Sequence, residues 1–431
     1  MRVLILGGYG FIGAEIARAL LREGHEVVGL GRSAATGGRL VPGVEWIGAD
    51  ISKLDSAGKW APHLSGIEAI VNAAGALQDG ARDNLEAIHH RSVAALVEGA
   101  AKANVKRIVQ ISAPGAEAGA STAFMRTKAA GDAAVRASAC DWIVLKPGLV
   151  IGRGAYGGTA LLRMLAGFPL MTPLVAASAR VQTVSNDDVA EAVVKVLKGE
   201  VPMRRDYDLV EDEPHSLRDI VGGFRRQLGF APARLEPDLP QWVAKIAGPL
   251  ADFAGRLGWR SALRSTALKV IGEDVLADPA PWRAATGRSL KTFEQALALL
   301  PGTAQERLFA RAQLALPLIV VALGAFWILS GAIGLVAIDE AATHLYGAVG
   351  VAAAKALVVA ASIVDIAIGA GLLVRRTARP AALASAAVAG FYLAAGTLTE
   401  PALWLDPFGA LAKIIPLMAM GLAVALLLEE R

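Results

Sequence analysis

The chain has 431 residues, with 43 Lys plus Arg against 39 Asp plus Glu and a formal charge of +4. Charged residues make up 19% and hydrophobic residues 54%. Soluble domains carry roughly 25% charged residues, so part of this chain is not in water. No basic cluster or aromatic-flanked stripe accompanies the small positive charge, which sets nucleic acid aside as a partner. A single cysteine, Cys140, excludes an internal disulfide and any Cys-cluster metal site, and suits a reducing compartment. No metal site is expected.

The first element is the apolar run 2–6, which leads straight into Gly7-Gly8-Tyr9-Gly10-Phe11-Ile12-Gly13. It is too short to be a signal peptide. Ile16, Ala19, Leu20 and Leu21 then repeat at helical spacing up to Gly24, and Glu26–Leu30 reads as a second buried strand. Strand, glycine loop, helix and strand in about 30 residues form the context in which such a loop binds a dinucleotide. Without Cβ atoms, Gly7, Gly10 and Gly13 let the backbone approach a pyrophosphate, and the N–H groups near Phe11 and Ile12 face its charge.

A fold that selects NAD(H) usually ends its second strand on Asp or Glu against the ribose. Here the sequence reads Gly29-Leu30-Gly31-Arg32-Ser33. Arg32 suits a 2′-phosphate, so NADP(H) is favoured over NAD(H). Further strands are expected at Val44–Gly48, Glu68–Asn72, Arg107–Ser112 and Trp142–Lys146, with helical patterns between several of them. This alternation predicts a parallel sheet covered on both faces. Asp50, after the third strand, is either an acceptor for an adenine amino group or a turn aspartate. Ala73, Ala74 and Gly75, after Asn72, are small enough to let a cofactor lie close.

Together these residues resemble the short-chain dehydrogenase/reductase superfamily. The resemblance rests on the glycine loop, Asn72-Ala73-Ala74-Gly75, Ser112 after a strand and Lys128 on a helix. It is strongest to the atypical branch, which includes NmrA-like proteins and the NADPH-binding accessory subunit of respiratory complex I. Lys146-Pro147-Gly148-Leu149-Val150-Ile151-Gly152 is similar to the family's RPG-x-VYG segment, which brings Pro147 to the cofactor. Val184 to Ala190, with Asp187 and Asp188, is similar to its V-x-x-D-D-V-A helix start. The resemblance covers residues 1 to about 300.

It also implies a catalytic set. The family places a phenol at the nicotinamide and a lysine four residues later, on one helix face. The lysine lowers the phenol pKa and holds the nicotinamide ribose, while a serine orients the substrate carbonyl. The sequence keeps Lys128 and Ser112 but reads Phe124-Met125-Arg126-Thr127-Lys128, with phenylalanine at the tyrosine position. Losing a general acid typically removes about 10²–10⁴-fold in rate. Ser121, Thr122 and Tyr156 are substitute donors; otherwise Lys128 serves only to hold the ribose. Sugar-nucleotide epimerisation is disfavoured because it leans on the same phenol.

From about 201 onward, Tyr207–Val210 reads as a last strand and Ser216–Leu228 as a helix capped by Ser216. Six prolines then punctuate short helical pieces, forming a small lid. Trp242, Phe253, Leu257 and Trp259 either line an apolar cleft there or are packing residues. The amphipathic linker 303–313 follows.

Residues 314–338 and 381–399 carry no charge, 346–374 hold only Lys355 and Asp365, and 407–428 only Lys413. A helical span takes about 20 mainly apolar residues, so four spans are expected. A water-soluble bundle would need polar faces that these segments lack. Arg307, Arg311, Arg375, Arg376 and Arg379 place both termini and the soluble half in the cytoplasm, on a bacterial-type inner membrane. This half resembles the DoxX-like family of four-helix membrane proteins, linked to quinone or thiol redox chemistry. Lys355 and Asp365 are about 15 Å apart along one helix, so Lys355 is expected to reach Asp339 or Glu340. Asp365 is then either part of a quinone or proton site or a hydrogen-bonded group inside the bundle. Gly324, Gly331, Gly334, Gly347 and Gly350 are expected to allow close helix packing.

The expected architecture is a Rossmann-type α/β domain with a doubly wound parallel sheet (1–200), a lid (201–302) and an all-α four-helix transmembrane bundle (314–431). The expected function is membrane-anchored NAD(P)H binding, with oxidoreductase action on an apolar carbonyl, alcohol or quinone-like molecule from the bilayer. The competing reading is a non-catalytic NADP(H) sensor or assembly factor for a membrane redox complex.

Overall fold

The computed structural model describes all residues except 81–82, 155–157, 260, 262, 348 and 429–431. The chain divides into two units, Met1–Phe253 with Ser261–Ala310, and Ala254–Arg260 with Arg311–Arg431.

In the first unit seven strands form one parallel sheet: β1 (Arg2–Leu6), β2 (Glu26–Gly31), β3 (Glu45–Gly48), β4 (Ala69–Asn72), β5 (Arg107–Ile111), β6 (Asp141–Pro147) and the strand Arg205–Leu209. Their order from one edge is Arg205–Leu209, β6, β5, β4, β1, β2, β3. The chain reverses direction across the sheet next to β1, which opens a crevice at the strand carboxyl ends. Side chains alternate across each strand, and β1 shows the consequence. Val3 and Ile5 join one core with Ile16 and Leu20 of the first helix, Phe11–Arg22, while Leu4 and Leu6 join another with Trp60 and Leu64 on the opposite face. Burying both faces is what the unbroken apolar run required.

The other expected strands, and the helix after Ser216, lie within two residues of the bounds read from the sequence. The helix Leu217–Gln227 starts at Ser216, whose side chain accepts from Asp219 N in a capping box. That box closes two otherwise unpaired N–H groups at the helix start. A third core, containing Leu162, Leu217, Phe224 and Phe293, joins the helices Gly158–Ala166, Leu217–Gln227 and Phe293–Ala298.

Among the described residues of the second unit, three helices are long and apolar enough to cross a membrane: Ala304–Val336, whose first turns lie in the first unit, Val351–Leu373 and Arg375–Thr399. Four spans were expected. The fourth apolar stretch forms the helix Ile414–Leu427, only 14 residues, or about 21 Å against a hydrocarbon core of about 30 Å. The residues before it make turns instead. The linker 303–313 is continuous with the first long helix.

Small residues bring these helices together. A Cβ at Gly331 would lie 2.3 Å from Ser362 O, and one at Gly324 3.2 Å from Gly369 O; Gly334 approaches the Ser362 hydroxyl. Gly347 and Gly350 do not share this role, because both lie in the connection between helices and meet nothing within 4 Å. Lys355 pairs with Asp339 at the helix end, as its reach suggested. Asp365 is buried and accepts from Ser330 Oγ at 3.0 Å and Tyr392 OH at 2.8 Å.

Candidate functional site

The glycine loop has the shape that a diphosphate needs. Gly7 sits at φ +70°, in the left-handed region, and Gly10 N donates to its carbonyl at 2.8 Å. A Cβ at Gly13 would stand 2.3 Å from that same carbonyl. The loop therefore closes only with glycine at both positions. Gly10 is the N-cap of the first helix and contributes no side-chain cap, so the N–H groups of the first turn, from Phe11 and Ile12 onward, are left to an outside acceptor. Phe11 O accepts from Asn186 Nδ2 at 2.9 Å, and a Cβ at Gly152 would touch the Phe11 ring. The segments 147–152 and 184–190 therefore meet the loop here. Ala73 and Ala74 follow β4 directly beneath Gly7, with Ala74 Cα 2.9 Å from where its Cβ would be.

At the other end of the crevice, Tyr9 and Trp46 pack at 5.5 Å between ring centres. Tyr9 OH accepts from Ser33 N at 3.2 Å. Arg32 is exposed beyond the second strand and pairs with Asp83 at 2.9 Å. Asp50 accepts from Ser52 N and Ser52 Oγ as the N-cap of a short 3₁₀ turn, the turn-aspartate alternative.

The chemistry-bearing residues converge around the helix Ala123–Arg136. Thr122 caps it, accepting from Met125 N, and Ser121 bonds Glu273. Both candidate donors are thus committed at the helix start. Tyr156 lies outside the described residues. Helical spacing puts Phe124, Lys128 and Asp132 on one face. Lys128 is buried and donates from Nζ to Ile111 O at 3.0 Å. Its Nζ lies 5.7 Å from the centre of the Phe124 ring. Ser112, on the next residue after β5, donates from Oγ to Asp132 Oδ2 at 2.5 Å. Asp132 has no exposed surface, and its Oδ1 has no hydrogen-bond partner among the described residues.

Burial sets the protonation of this group. It pushes the Asp132 carboxyl up, against the opposing effects of the Ser112 hydrogen bond and the Lys128 charge. It pushes the Lys128 ammonium down, with Asp132 opposing. His89 completes the cluster, with its ring edge-on to Phe124 at 5.6 Å. His89 Nε2 accepts from Ala76 N at 3.1 Å, and Nδ1 bonds Thr127 Oγ1, which itself donates to Phe124 O. Those partners fix the neutral Nδ1–H tautomer. Burial first, and then the Lys128 charge, hold its pKa down at about 3.

Sequence reading missed His89 and Asp132. Asp132 was discoverable, standing four residues beyond Lys128 on the same helix face. His89 carried no such signal; it reaches the site because residues 87–91 form a π-helical turn, a feature often found at functional sites.

Beside Phe124 lies a cavity of about 140 Å³, lined by Met125, Pro147, Leu149, Leu162 and Val275 among others. Its walls are nearly all apolar. The four residues proposed as cleft lining do not form it. Trp242 and Phe253 are 61% and 59% exposed, and Trp259 packs in the second unit with Nε1 bonded to Leu373 O at 2.7 Å. Leu257, next to it, offers its carbonyl to Arg375 N. They are packing or surface residues.

Comparison with known proteins agrees with this division. Residues 7–200 match the model of the NAD(P)H-binding family, and residues 324–422 that of the DoxX-like family. A ceramide reductase of Caulobacter vibrioides is 23% identical over 272 residues, covering 63% of this chain and 82% of the relative. An uncharacterized protein of Schizosaccharomyces pombe is 42% identical over 69 residues, 16% of this chain, and the match spans only 23% of that relative. The solved structure of WbmG from Bordetella bronchiseptica in complex with NAD superposes with TM-score 0.52 at 19% identity, covering 71% of this chain and 93% of that one. An NADPH-dependent quinone oxidoreductase of Escherichia coli, with NADPH, gives TM-score 0.52 at 16% identity, with coverages of 69% and 98%. At such identities the shared property is the fold. The chain joins an NAD(P)H-binding Rossmann domain to a DoxX-like helical domain of membrane type.

Proposed function

We propose that this protein is a membrane-anchored NAD(P)H-dependent reductase of an apolar carbonyl compound drawn from the bilayer. The observation that carries the reading is the buried cluster of Ser112, Lys128 and Asp132 behind Ala113 and Phe124, which line an apolar cavity. The glycine loop supports cofactor binding, since its crowded carbonyl and uncapped helix start fit a diphosphate. Gly7, Gly10 and Gly13 give the approach; Phe11 and Ile12 lie at the helix start, and Ala73, Ala74, Gly75 and Pro147 border the crevice. Lys128 would hold the nicotinamide ribose. When bound, the reduced nicotinamide supplies a hydride to a carbonyl carbon.

The protein must supply the proton for the carbonyl oxygen. Phe124 has none to give, so the nearest donor is Ser112 Oγ. A serine hydroxyl is a weak acid, and Asp132 compensates for this. With Asp132 neutral, as its burial favours, the short Ser112–Asp132 bond would run the other way, from the carboxyl O–H to Ser112 Oγ; that proton would pass to Ser112 Oγ as Ser112 gives its own to the carbonyl oxygen, leaving Asp132 a carboxylate. Lys128 lends positive charge to the developing alkoxide. Asp132 acts through Ser112 and is a positioning residue. The relative named a ceramide reductase favours an apolar, lipid-derived substrate.

NADP(H) is favoured as the cofactor because β2 ends without a carboxylate and Arg32 stands at that point. A 2′-phosphate would take over the guanidinium now paired with Asp83. The first unit is assigned to the cytoplasmic side of a bacterial inner membrane by the arginines flanking the spans. A quinone-like substrate stays within the same reaction class. Domain limits of 1–200, 201–302 and 314–431, with the linker 303–313, remain our working division. The competing reading, a nucleotide sensor or assembly factor for a membrane redox complex, is favoured by Phe124 alone.

The test uses NADPH carrying deuterium at C4 with proteoliposomes and a long-chain ketone. Deuterium in the product alcohol, lost in Ser112→Ala, supports the reductase. Tight NADPH binding without deuterium transfer to any apolar ketone, aldehyde or quinone supports the sensor.

A further inference from the structure

The helix Gln241–Arg256 shows two unlike faces. On one, Gly248 and Ala251 are buried, and Asp252 accepts from Gln78 Nε2 at 2.8 Å and from Arg264 and Ser265. This face holds the helix to its own unit. On the other, Trp242, Ile246, Leu250 and Phe253 are 61%, 54%, 64% and 59% exposed. At about 100° per residue these four fall within an arc of about 80°. Lys245 and Arg256, both exposed, flank this arc on one side. Four large apolar side chains in a row are an unusual thing to leave in water.

We propose that this helix lies in the membrane–water interface, with Trp242, Ile246, Leu250 and Phe253 entering the lipid and Lys245 and Arg256 reaching headgroup phosphates. The occupant of the face is argued from chain continuity. Phe253 is followed directly by residues 254–260, which belong to the unit of long apolar helices. Within that unit Leu257 O accepts from Arg375 N at 2.9 Å and Trp259 Nε1 donates to Leu373 O at 2.7 Å. Residues 373–375 are the turn between two of the candidate spans, and such turns stand at the bilayer surface. The chain therefore leaves this helix within a few residues of a span end. An apolar arc edged with Lys and Arg, and with Trp among its members, has the composition of an interfacial helix. The inference does not rest on the reductase reading.

Electron paramagnetic resonance on the full chain in proteoliposomes tests it. Single cysteines replace Trp242, Ile246, Leu250 and Phe253 in a Cys140→Ser background, or with the buried native thiol kept, and each carries a nitroxide. Lys102→Cys, on an exposed surface of the first unit, is the aqueous reference. The expected result is that all four arc sites collide with lipid-soluble oxygen more than with an aqueous nickel chelate, with the reverse at residue 102. Anionic lipid should deepen the four sites. Preferential nickel collisions at the arc would overturn the proposal in favour of a solvated face. Low collision rates with both reagents would also overturn it, showing that a second copy or another protein covers the helix.

Discussion

Lys128 Nζ stands 5.7 Å from the centre of the Phe124 ring, and one helical turn further on Asp132 receives the hydroxyl of Ser112. The positive charge that would sharpen a phenol is in place, and the phenol is not. Phe124→Tyr therefore adds one oxygen to a site that still has its lysine. Turnover of NADPH with an apolar ketone should rise by about 10²-fold, within the usual range for a general acid. A steady-state assay of wild type and variant in the same proteoliposomes checks it.

Asp132→Asn should separate the proton path from the scaffold. In the wild type, turnover should fall as pH rises through the raised Asp132 pKa, because the ionised carboxyl would no longer return a proton to Ser112. The asparagine variant should be slower by about tenfold at low pH, toward the lower end of acid–base effects, and should lack that alkaline limb. A pH–rate profile distinguishes this from a merely structural role, which would lower the whole curve.

His89 makes the first unit acid-sensitive. Its pKa is about 3 in the folded chain against 6.5 when unfolded, so between those values only the unfolded state takes up the proton. Stability is full above about pH 6.5 and is lost as the pH falls toward 3. The loss is about 5 kcal/mol over the full window. His89→Gln keeps a donor and an acceptor but does not titrate, and its melting temperature should fall less between pH 7 and pH 4. Thermal unfolding of the detergent-solubilised protein at several pH values reads the difference.

Arg32→Ala bears on cofactor choice. It removes the cation available to a 2′-phosphate and frees Asp83 from its pair. NADPH binding should weaken by about tenfold, the worth of one exposed charge-assisted contact of about 1.4 kcal/mol, with NADH binding unchanged or slightly stronger. Nicotinamide fluorescence titrations with both nucleotides measure it.

In the membrane unit, Asp365 holds the hydroxyls of Ser330 and Tyr392. Asp365→Asn keeps an acceptor there, whereas Asp365→Leu leaves two hydroxyls without one. Each orphaned group costs about 1–3 kcal/mol, so the leucine variant should melt well below the asparagine variant in detergent. Equal melting temperatures would show that the cluster contributes little to packing.

The sequence by itself determined the strands, the glycine loop and the membrane character of the C-terminal half. Each of these depends on local physics: short unbroken apolar runs, backbone positions where only glycine fits, and nearly charge-free stretches about as long as a bilayer is thick. It also marked Phe124 and Lys128, because helical spacing alone puts both on one face. What the tertiary structure decided was everything that depends on distant segments meeting. His89 touches Phe124 across 35 positions of sequence, and the apolar cavity draws its walls from β6, four helices and a loop near Val275, among others. Arg32 reads as a free cation in sequence, yet Asp83 folds back onto it. The fourth apolar run looked long enough to span, but turns near Gly409 shorten its helix to 14 residues. The outward stripe on Gln241–Arg256 was equally hidden, because period alone names a helix's apolar face without saying whether protein or lipid covers it.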